Sequence, residues 1–393
     1  MLNTQFPPWP SYTREEADAV SHVLLSNKVN YWTGQESREF EKEFAEWVGC
    51  DYAIALANGT LALEVVLRTL GIGSGDEVIV TSRTFIASIS CIVSMGAVPV
   101  FADVDSDTQN ITAESIGEVL TSRTKAVICV HLAGMPCDMD PIMALAKQHG
   151  LLVIEDCAQA HGARYKGKSV GSIGHAGAWS FCQDKIMTTG GEGGMVTTND
   201  RALWSKIWAF KDHGKSWEAV YEKQHPPGFG YRWLYESFGS NYRMLEMQAV
   251  IGRLQLHRMA EWTSRRKANA EQLWRAGSHI PGLRVPIVPK GMDHAAYKCY
   301  MFVEPEKLKD NWSRDRIMSE INYRGVPCYS GACSEVYLEK AFDDTGWRPG
   351  ERLPVAKKLG ETSLMFLVHP TLEKEHIDKS CEVLQAVMQE AVA

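Results

Sequence analysis

The sequence predicts an α/β fold: a large domain on a mostly parallel central sheet, followed by a smaller C-terminal α+β domain. Three observations carry this. Between residues 39 and 198, short apolar runs alternate with segments of helical spacing. Those runs are continuously apolar, as expected of strands covered on both faces. After about residue 200 the pattern shifts to long helical stretches and then to short mixed elements. A length of 393 residues suits one large domain with a smaller companion.

Glu39–Gly49 reads as a helix with Phe40, Phe44 and Trp47 on one face. Thr60–Leu70 is a second helix, entered through Asn58 and Gly59; Gly71, Gly73 and Gly75 after it read as a C-cap and turn. Val78–Val80 is a strand, Phe85–Met95 a helix and Val98–Val104 a strand. Thr112 is the N-cap of a helix reaching Leu120. Ala126–His131 is a strand, Pro141–His149 a helix and Leu151–Glu155 a strand, with further strands at Gly177–Cys182 and Met195–Thr198. Arg201–Phe210 is a Trp-rich helix, Lys211–Ser240 an irregular aromatic-rich segment, and Met244–Ala276 one long helix or two. Short strands and helices follow from Pro281. The expected division is an N-terminal arm over 1–14, a large domain over 15–255 and a small domain over 256–393.

Composition removes several classes. Apolar residues at 45% and charged residues at 23% are globular values and exclude a disordered chain. Forty-one basic against 48 acidic residues give a net charge of −7, the wrong sign for a protein that coats nucleic acid. The ten cysteines are scattered with no C-x-x-C pair, which argues against a zinc ribbon or a disulfide scaffold; no metal is expected. The N-terminus shows no secretory pattern and no apolar run approaches a membrane span, so a reducing, cytoplasmic setting is expected.

Three segments carry chemistry. In the first, Ser180-Phe181-Cys182-Gln183-Asp184-Lys185 precedes Thr188-Thr189-Gly190-Gly191-Glu192-Gly193-Gly194. This sets a lysine past a strand end, where α/β sheets bind ligands. A lysine whose pKa is lowered there can form a Schiff base with a carbonyl; the plain alternative is a surface lysine before a turn. In the second, the Leu151–Glu155 strand runs into Asp156, with Gln159 three residues on. A carboxylate at the end of a core strand needs a cationic partner, and a pyridinium nitrogen would be one; the alternative is a turn cap. In the third, Asn58-Gly59-Thr60 opens a helix whose first amides could hold a phosphate or simply be capped. No Walker A sequence occurs, and no G-x-G-x-x-G follows a strand.

In chain order these three segments resemble the DegT/DnrJ/StrS sugar aminotransferases, fold-type-I enzymes that use pyridoxal 5′-phosphate (PLP). The resemblance extends through Gly34 with Phe40-Glu41, Asn58-Gly59-Thr60-Leu61-Ala62-Leu63, Gly75-Asp76-Glu77-Val78-Ile79 and Thr84-Phe85-Ile86-Ala87. It continues through Gly96-Ala97-x-Pro99-Val100-Phe101-x-Asp103, His131-Leu132-x-Gly134, Glu155–Ala160, Ser180-Phe181 with Lys185, and Asn241-Tyr242-Arg243-Met244-x-Glu246. It covers residues from about 30 to 255, with a weaker match at Tyr323–Pro327 and at His369-Pro370.

The resemblance implies a role for each matching residue. Lys185 would hold the cofactor as a Schiff base and then shuttle protons. Asp156 would pair with the pyridinium nitrogen, Gln159 would contact the ring oxygen, and Phe85 would stack on the ring. Thr60, the Gly59 backbone and Ser180 would hold the phosphate. Asn241 would reach the cofactor phosphate of a neighbouring subunit, which implies a homodimer with shared sites. An amino acid, L-glutamate, would convert PLP to its amine form, PMP, and the amine would pass to a keto-sugar, most often nucleotide-linked, for surface polysaccharides, O-antigen among them, or antibiotics.

Trp32, Lys215 and Arg232 are low-ranking substrate contacts, with Lys211 a further cation beside them. The surrounding segment, with Trp217, Phe229, Tyr231, Trp233 and Tyr235, is read as either a cover for the sugar nucleotide or a packed excursion. Two features depart from the family form. One is the extra glycine in Thr188–Gly194, expected to widen the loop; the other is Asp184 directly before Lys185. Three other readings compete. A dehydratase of this fold would carry histidine in place of Lys185, a PLP-binding sensor would keep the pocket without turnover, and an NAD-dependent sugar enzyme would need a glycine fingerprint that is absent.

Overall fold

A computed structural model describes residues 5–224, 226, 228 and 232–392. His225, Pro227, Phe229 and Tyr231 of the irregular segment lie outside the described residues. The large domain is built on seven strands: β1 (Tyr52–Leu56), β2 (Glu77–Thr81), β3 (Val98–Ala102), β4 (Thr124–Val130), β5 (Leu152–Asp156), β6 (Ala176–Ser180) and β7 (Gly194–Thr198). Their order is β1-β7-β6-β5-β4-β2-β3. Pairs from β3 through β6 are parallel, and β7 runs antiparallel to both of its neighbours. The sheet is therefore mostly parallel, as its continuously apolar strands require.

Helices cover both faces. On one, α3 (Gly59–Thr69), α4 (Ala87–Ser94) and α7 (Arg201–Lys211) bury Leu63, Val66, Ile92 and Ile207 against Ile54, Val80, Ile128 and Ile154. On the other, Phe40 and Phe44 of α2 (Glu36–Val48) pack on Trp179 and Phe181, while Ile116 of α5 (Ala113–Val119) and Ile142 of α6 (Met139–His149) pack on Val127 and Val153. Thr112 caps α5 as expected, accepting from the Ser115 amide at 3.2 Å. Glu246 caps α2 from a distance by accepting from the amides of Glu36 (2.6 Å) and Ser37 (3.2 Å). A Cβ on Gly34 would lie 2.1 Å from that carboxylate, so the Gly34 and Glu246 motifs are two halves of one cap.

Two elements were not anticipated. α1 (Arg14–Leu25) starts at a capping box, with the Thr13 amide donating to Glu16 Oε2 at 2.6 Å. β1 is a five-residue run in which Ala53 and Ala55 dilute the strand signal. The long irregular segment also holds a short helix, α8 (Trp217–Tyr221).

α9 (Glu246–Gly277) is one unbroken helix and runs through the expected boundary near residue 255. Its Leu256, Met259 and Trp262 belong to a large-domain core, whereas Ala270 and Leu273 belong to the small-domain core. The small-domain sheet comprises β8 (Leu283–Arg284), β9 (Cys299–Val303), β10 (Cys328–Tyr329) and β11 (Ser363–Phe366), all antiparallel in the order β8-β9-β11-β10. α10 (Arg314–Tyr323) and α12 (Lys374–Ala391) cover it. Asp103, just after β3, caps the small-domain helix α11 (Pro354–Thr362), accepting from the amides of Val355 and Ala356, both at 2.9 Å. The N-terminal arm spans both domains: Trp9 packs with the large-domain core and Phe6 with the small. No helix among the described residues is long and apolar enough to cross a membrane.

Candidate active site

A cavity of about 1400 Å³ opens at the carboxyl ends of β5 and β6, and Gly59, Thr60, Phe85, Asp156, Gln159, Ser180 and Lys185 all line it. Residues spread over more than 120 positions are thus brought to one place by the strand order. Asp156 ends β5 and is buried. Ser88 Oγ donates to its Oδ2 at 2.8 Å and the Ala158 amide to its Oδ1 at 3.1 Å. Burial pushes this carboxyl above its usual pKa against the pull of those hydrogen bonds and of the Lys185 charge. A buried acid in that state is matched to a cationic N–H donor entering from the cavity.

The neighbouring Glu155 is buried too, and it faces inward. It accepts from His131 Nε2 (3.0 Å) and from the amides of Gly171 (2.8 Å), Ile173 (2.8 Å) and Gly174 (2.7 Å). Burial disfavours its charge, but the His131 and backbone bonds outweigh it and hold its pKa low. His131 Nδ1 accepts from the Cys137 amide at 3.0 Å, so Nε2 carries the hydrogen. This network anchors the strand end on which Asp156 sits.

Gln159 Oε1 accepts from the Ala133 amide at 2.8 Å, which leaves the NH₂ half of the side chain as the free donor. Ala133 makes this bond from a left-handed backbone, φ 55°, held by the Tyr297 amide donating to its carbonyl at 2.9 Å. At the opposite wall, α3 starts against β6. A Cβ on Gly59 would lie 2.5 Å from Ser180 Cβ, and one on Gly194 would lie 2.3 Å from the Asn58 carbonyl. Glycine at both positions brings the helix start onto the strand ends. Asn58 caps the Leu61 amide at 2.9 Å, and the first-turn amides of Gly59 and Thr60 have no intrahelical acceptor. Unpaired first-turn amides of this kind suit a phosphate. Phe85, 66% exposed, offers its ring to the same cavity.

Lys185 Nζ lies 3.6 Å from Asp184 Oδ1 and 5.4 Å from the centre of the Tyr297 ring. The Tyr297 hydroxyl donates to the other oxygen of Asp184. Burial works against the Asp184 charge, but Lys185 and Tyr297 outweigh it and hold the carboxyl low. Trp9 Nε1 donates to the Lys185 carbonyl at 2.8 Å, so the N-terminal arm fixes the lysine backbone. Of the two glycines before Glu192, Gly190 has φ 86° and Gly191 φ 121°, and Gly191 pairs with Cys182 in a parallel bridge. That bridge holds the loop to the strand end beside Lys185.

The remaining sequence candidates fall elsewhere. Asn241 is exposed and bridges to Asp212, away from the cavity of its own chain. Trp32 Nε1 donates to Asp212 at 2.5 Å, and Lys215 Nζ lies 3.5 Å from Asp212 and 4.0 Å from the Trp32 ring, so these three share the Asn241 side of the molecule. Arg232 is exposed and does not line the cavity. Lys211 is corrected: it is fully buried and paired with Glu41 at 2.7 Å, so it is not a free cation for a phosphate. Ser88, Trp9, Ala133 and Tyr297 were missed. Ser88 stood one helical turn from Phe85 and could have been found by spacing; the others carry no local signal.

The residues fit PLP: a cradle for the phosphate, an acid for the ring nitrogen, an amide for the ring oxygen, and an amine for the aldehyde. The comparisons agree. An aminotransferase structure from Psychrobacter cryohalolentis superposes with a TM-score of 0.96 at 64% identity, covering 98% of this chain and 99% of that one. GDP-perosamine synthase of Escherichia coli O157:H7 is 42% identical over 370 residues, 91% of this chain and 95% of the relative. The spore coat polysaccharide biosynthesis protein SpsC of Bacillus subtilis (strain 168) is 34% identical over 395 residues, 97% of this chain and 96% of the relative. The profile of the DegT/DnrJ/EryC1/StrS aminotransferase family matches residues 10–385, and the chain belongs to that family of PLP-dependent enzymes.

Proposed function

We propose that this protein transfers an amino group from L-glutamate to a nucleotide-linked keto-sugar, working as a cytoplasmic homodimer in the synthesis of a surface polysaccharide such as an O-antigen. The observation that carries the reading is the meeting of Asp156, Lys185 and the α3 cradle in one cavity. The names of relatives, GDP-perosamine synthase and a polysaccharide biosynthesis protein among them, support the sugar acceptor.

PLP supplies an aldehyde and an electron-withdrawing ring. Asp156, held by Ser88, keeps a proton at the ring nitrogen. Gln159 donates to the ring oxygen from an amide oriented by Ala133. Gly59, Thr60 and Ser180 hold the phosphate. Lys185 Nζ would take the proton from the donor α-carbon and return it two bonds away, on the far side of the transferred nitrogen, an acid–base role suited to an amine between a carboxylate and an aromatic face. A dimer is supported by Asn241, which is exposed and outside its own cavity, and by exposed Trp233, Tyr235 and Phe238 on the same segment. Trp32, Lys215 and Arg232 would then serve the partner's sugar nucleotide.

Borohydride reduction followed by peptide mapping tests the cofactor lysine: a label on any residue other than Lys185 sinks the assignment. Glutamate should convert the absorbance of the PLP form to that of PMP, and a keto-sugar nucleotide should reverse it. Cofactor binding without turnover on any amino acid would favour a sensor instead.

A further inference from the structure

Two cations on the wall of this cavity form no ion pair among the described residues. Arg266, from α9, is 1% exposed. Its Nη1 reaches the Tyr297 carbonyl at 3.5 Å, while Nε and Nη2 meet no acceptor among the described residues. The Trp9 indole covers it at 4.8 Å from the ring centre. Lys298 also lines the cavity and forms no ion pair among the described residues; the acid that acts on it is Asp184, already engaged by Tyr297 and Lys185. A buried charge without a counter-charge is costly, and a protein keeps one where a ligand supplies the opposite sign. Burial lowers Arg266 to about 9 and Lys298 to about 8, so both still favour their charged forms at neutral pH.

The position narrows the anion. Lys298 Nζ and Lys185 Nζ lie 4.8 and 5.4 Å from the centre of the same Tyr297 ring. Both lysines line the one cavity and the Lys185 charge acts on Lys298, so an anion held at Lys298 lies within electrostatic reach of the reacting amine. The α-carboxylate of an amino acid is one bond from the carbon that bears the transferred nitrogen, whereas a nucleotide phosphate is separated from the reacting carbon by atoms of the sugar ring. We propose that Lys298, with Arg266 behind it, receives the α-carboxylate of the amino-acid donor. This rests on the reading of the protein as an amino-acid-dependent transaminase.

The test uses glutarate, which has two carboxylates and no amine, titrated calorimetrically into the PLP-loaded protein, with UDP and GDP as the phosphate arm. Lys298→Met should weaken glutarate about tenfold or more and leave nucleotide affinity unchanged, and Lys298→Arg should restore most of the loss. Arg266→Lys should weaken glutarate by a smaller factor, since it keeps the charge but not the span of the guanidinium. Equal glutarate affinity in wild type and Lys298→Met, no glutarate binding to wild type, or a loss confined to UDP and GDP would each overturn the proposal. Failure of the underlying reading looks different: the wild-type absorbance would then respond to no amino acid at all.

Discussion

Ser88→Ala isolates the bond that Ser88 makes to Asp156. Ser88 Oγ meets Asp156 Oδ2 at 2.8 Å, with both groups buried. A hydrogen bond to a charged group contributes about 1.5–3 kcal/mol, against about 0.5–1.5 for a neutral pair. Because the bond to the charged form is the stronger one, losing it raises the Asp156 carboxyl further. Burial already holds that carboxyl above its usual value, so the folded chain binds a proton more readily than the unfolded one. Stability therefore declines as pH rises from the unfolded aspartate value through the folded one, and Ser88→Ala deepens that decline and extends it upward.

The assay is urea denaturation of cofactor-free protein near neutral pH, in wild-type and Asp156→Asn backgrounds. Ser88→Ala should cost about 1.5–3 kcal/mol when residue 156 is an acid and about 0.5–1.5 when it is an amide. Its cost should also shrink as pH falls and Asp156 protonates. Equal costs in the two backgrounds would refute the claim that Ser88 acts on a charge.

Three other substitutions probe the scaffold. Gly59→Ala puts a methyl 2.5 Å from Ser180 Cβ, so the start of α3 must retreat, and PLP affinity of the cofactor-free protein should drop about tenfold or more, or about 1.4 kcal/mol, by absorbance titration. An unchanged affinity would remove this helix start from the cradle. Lys211→Met leaves Glu41 without its buried partner and should cost about 3–5 kcal/mol in denaturant; under 1 kcal/mol would show the pair to be dispensable. Asp103→Ala removes the cap on α11 and should cost about 0.5–2 kcal/mol while PLP affinity stays level, because Asp103 touches the small-domain helix and not the cavity. Loss of cofactor binding in that variant would mean the domain joint shapes the cavity.

Strands β2 to β7 of the large sheet were legible as short, mainly apolar runs bounded by turns. β5, Leu-Val-Ile-Glu-Asp, shows both its burial and its acidic end in five residues. β1 was not legible, since its alanines suit helix as well as strand and only pairing with β7 selects the extended form. The long helix α9 was expected, but not its passage through the domain boundary, because the periodicity of a helix does not say which core each turn enters. Within the candidate site, Lys185, Asp156, Gln159 and the Asn58–Thr60 turn stood out at element ends, and the fold brings them to one cavity. Lys211 misled, since a lysine at the end of a helix looks solvent-bound until Glu41, 170 positions earlier, is folded against it.

The chain's local patterns by themselves determined the alternation of strand and helix and the placement of Gly59, Asp156 and Lys185 at element ends, because each is written in neighbouring residues. Only the tertiary structure decided that Trp9 grips the Lys185 backbone, that Tyr297 and Asp184 flank its amine, and that Arg266 and Lys298 line the same cavity with no ion pair among the described residues. Those partners are separated by up to 176 positions, and the free energy of a charge depends on what surrounds it in space, which no local pattern encodes.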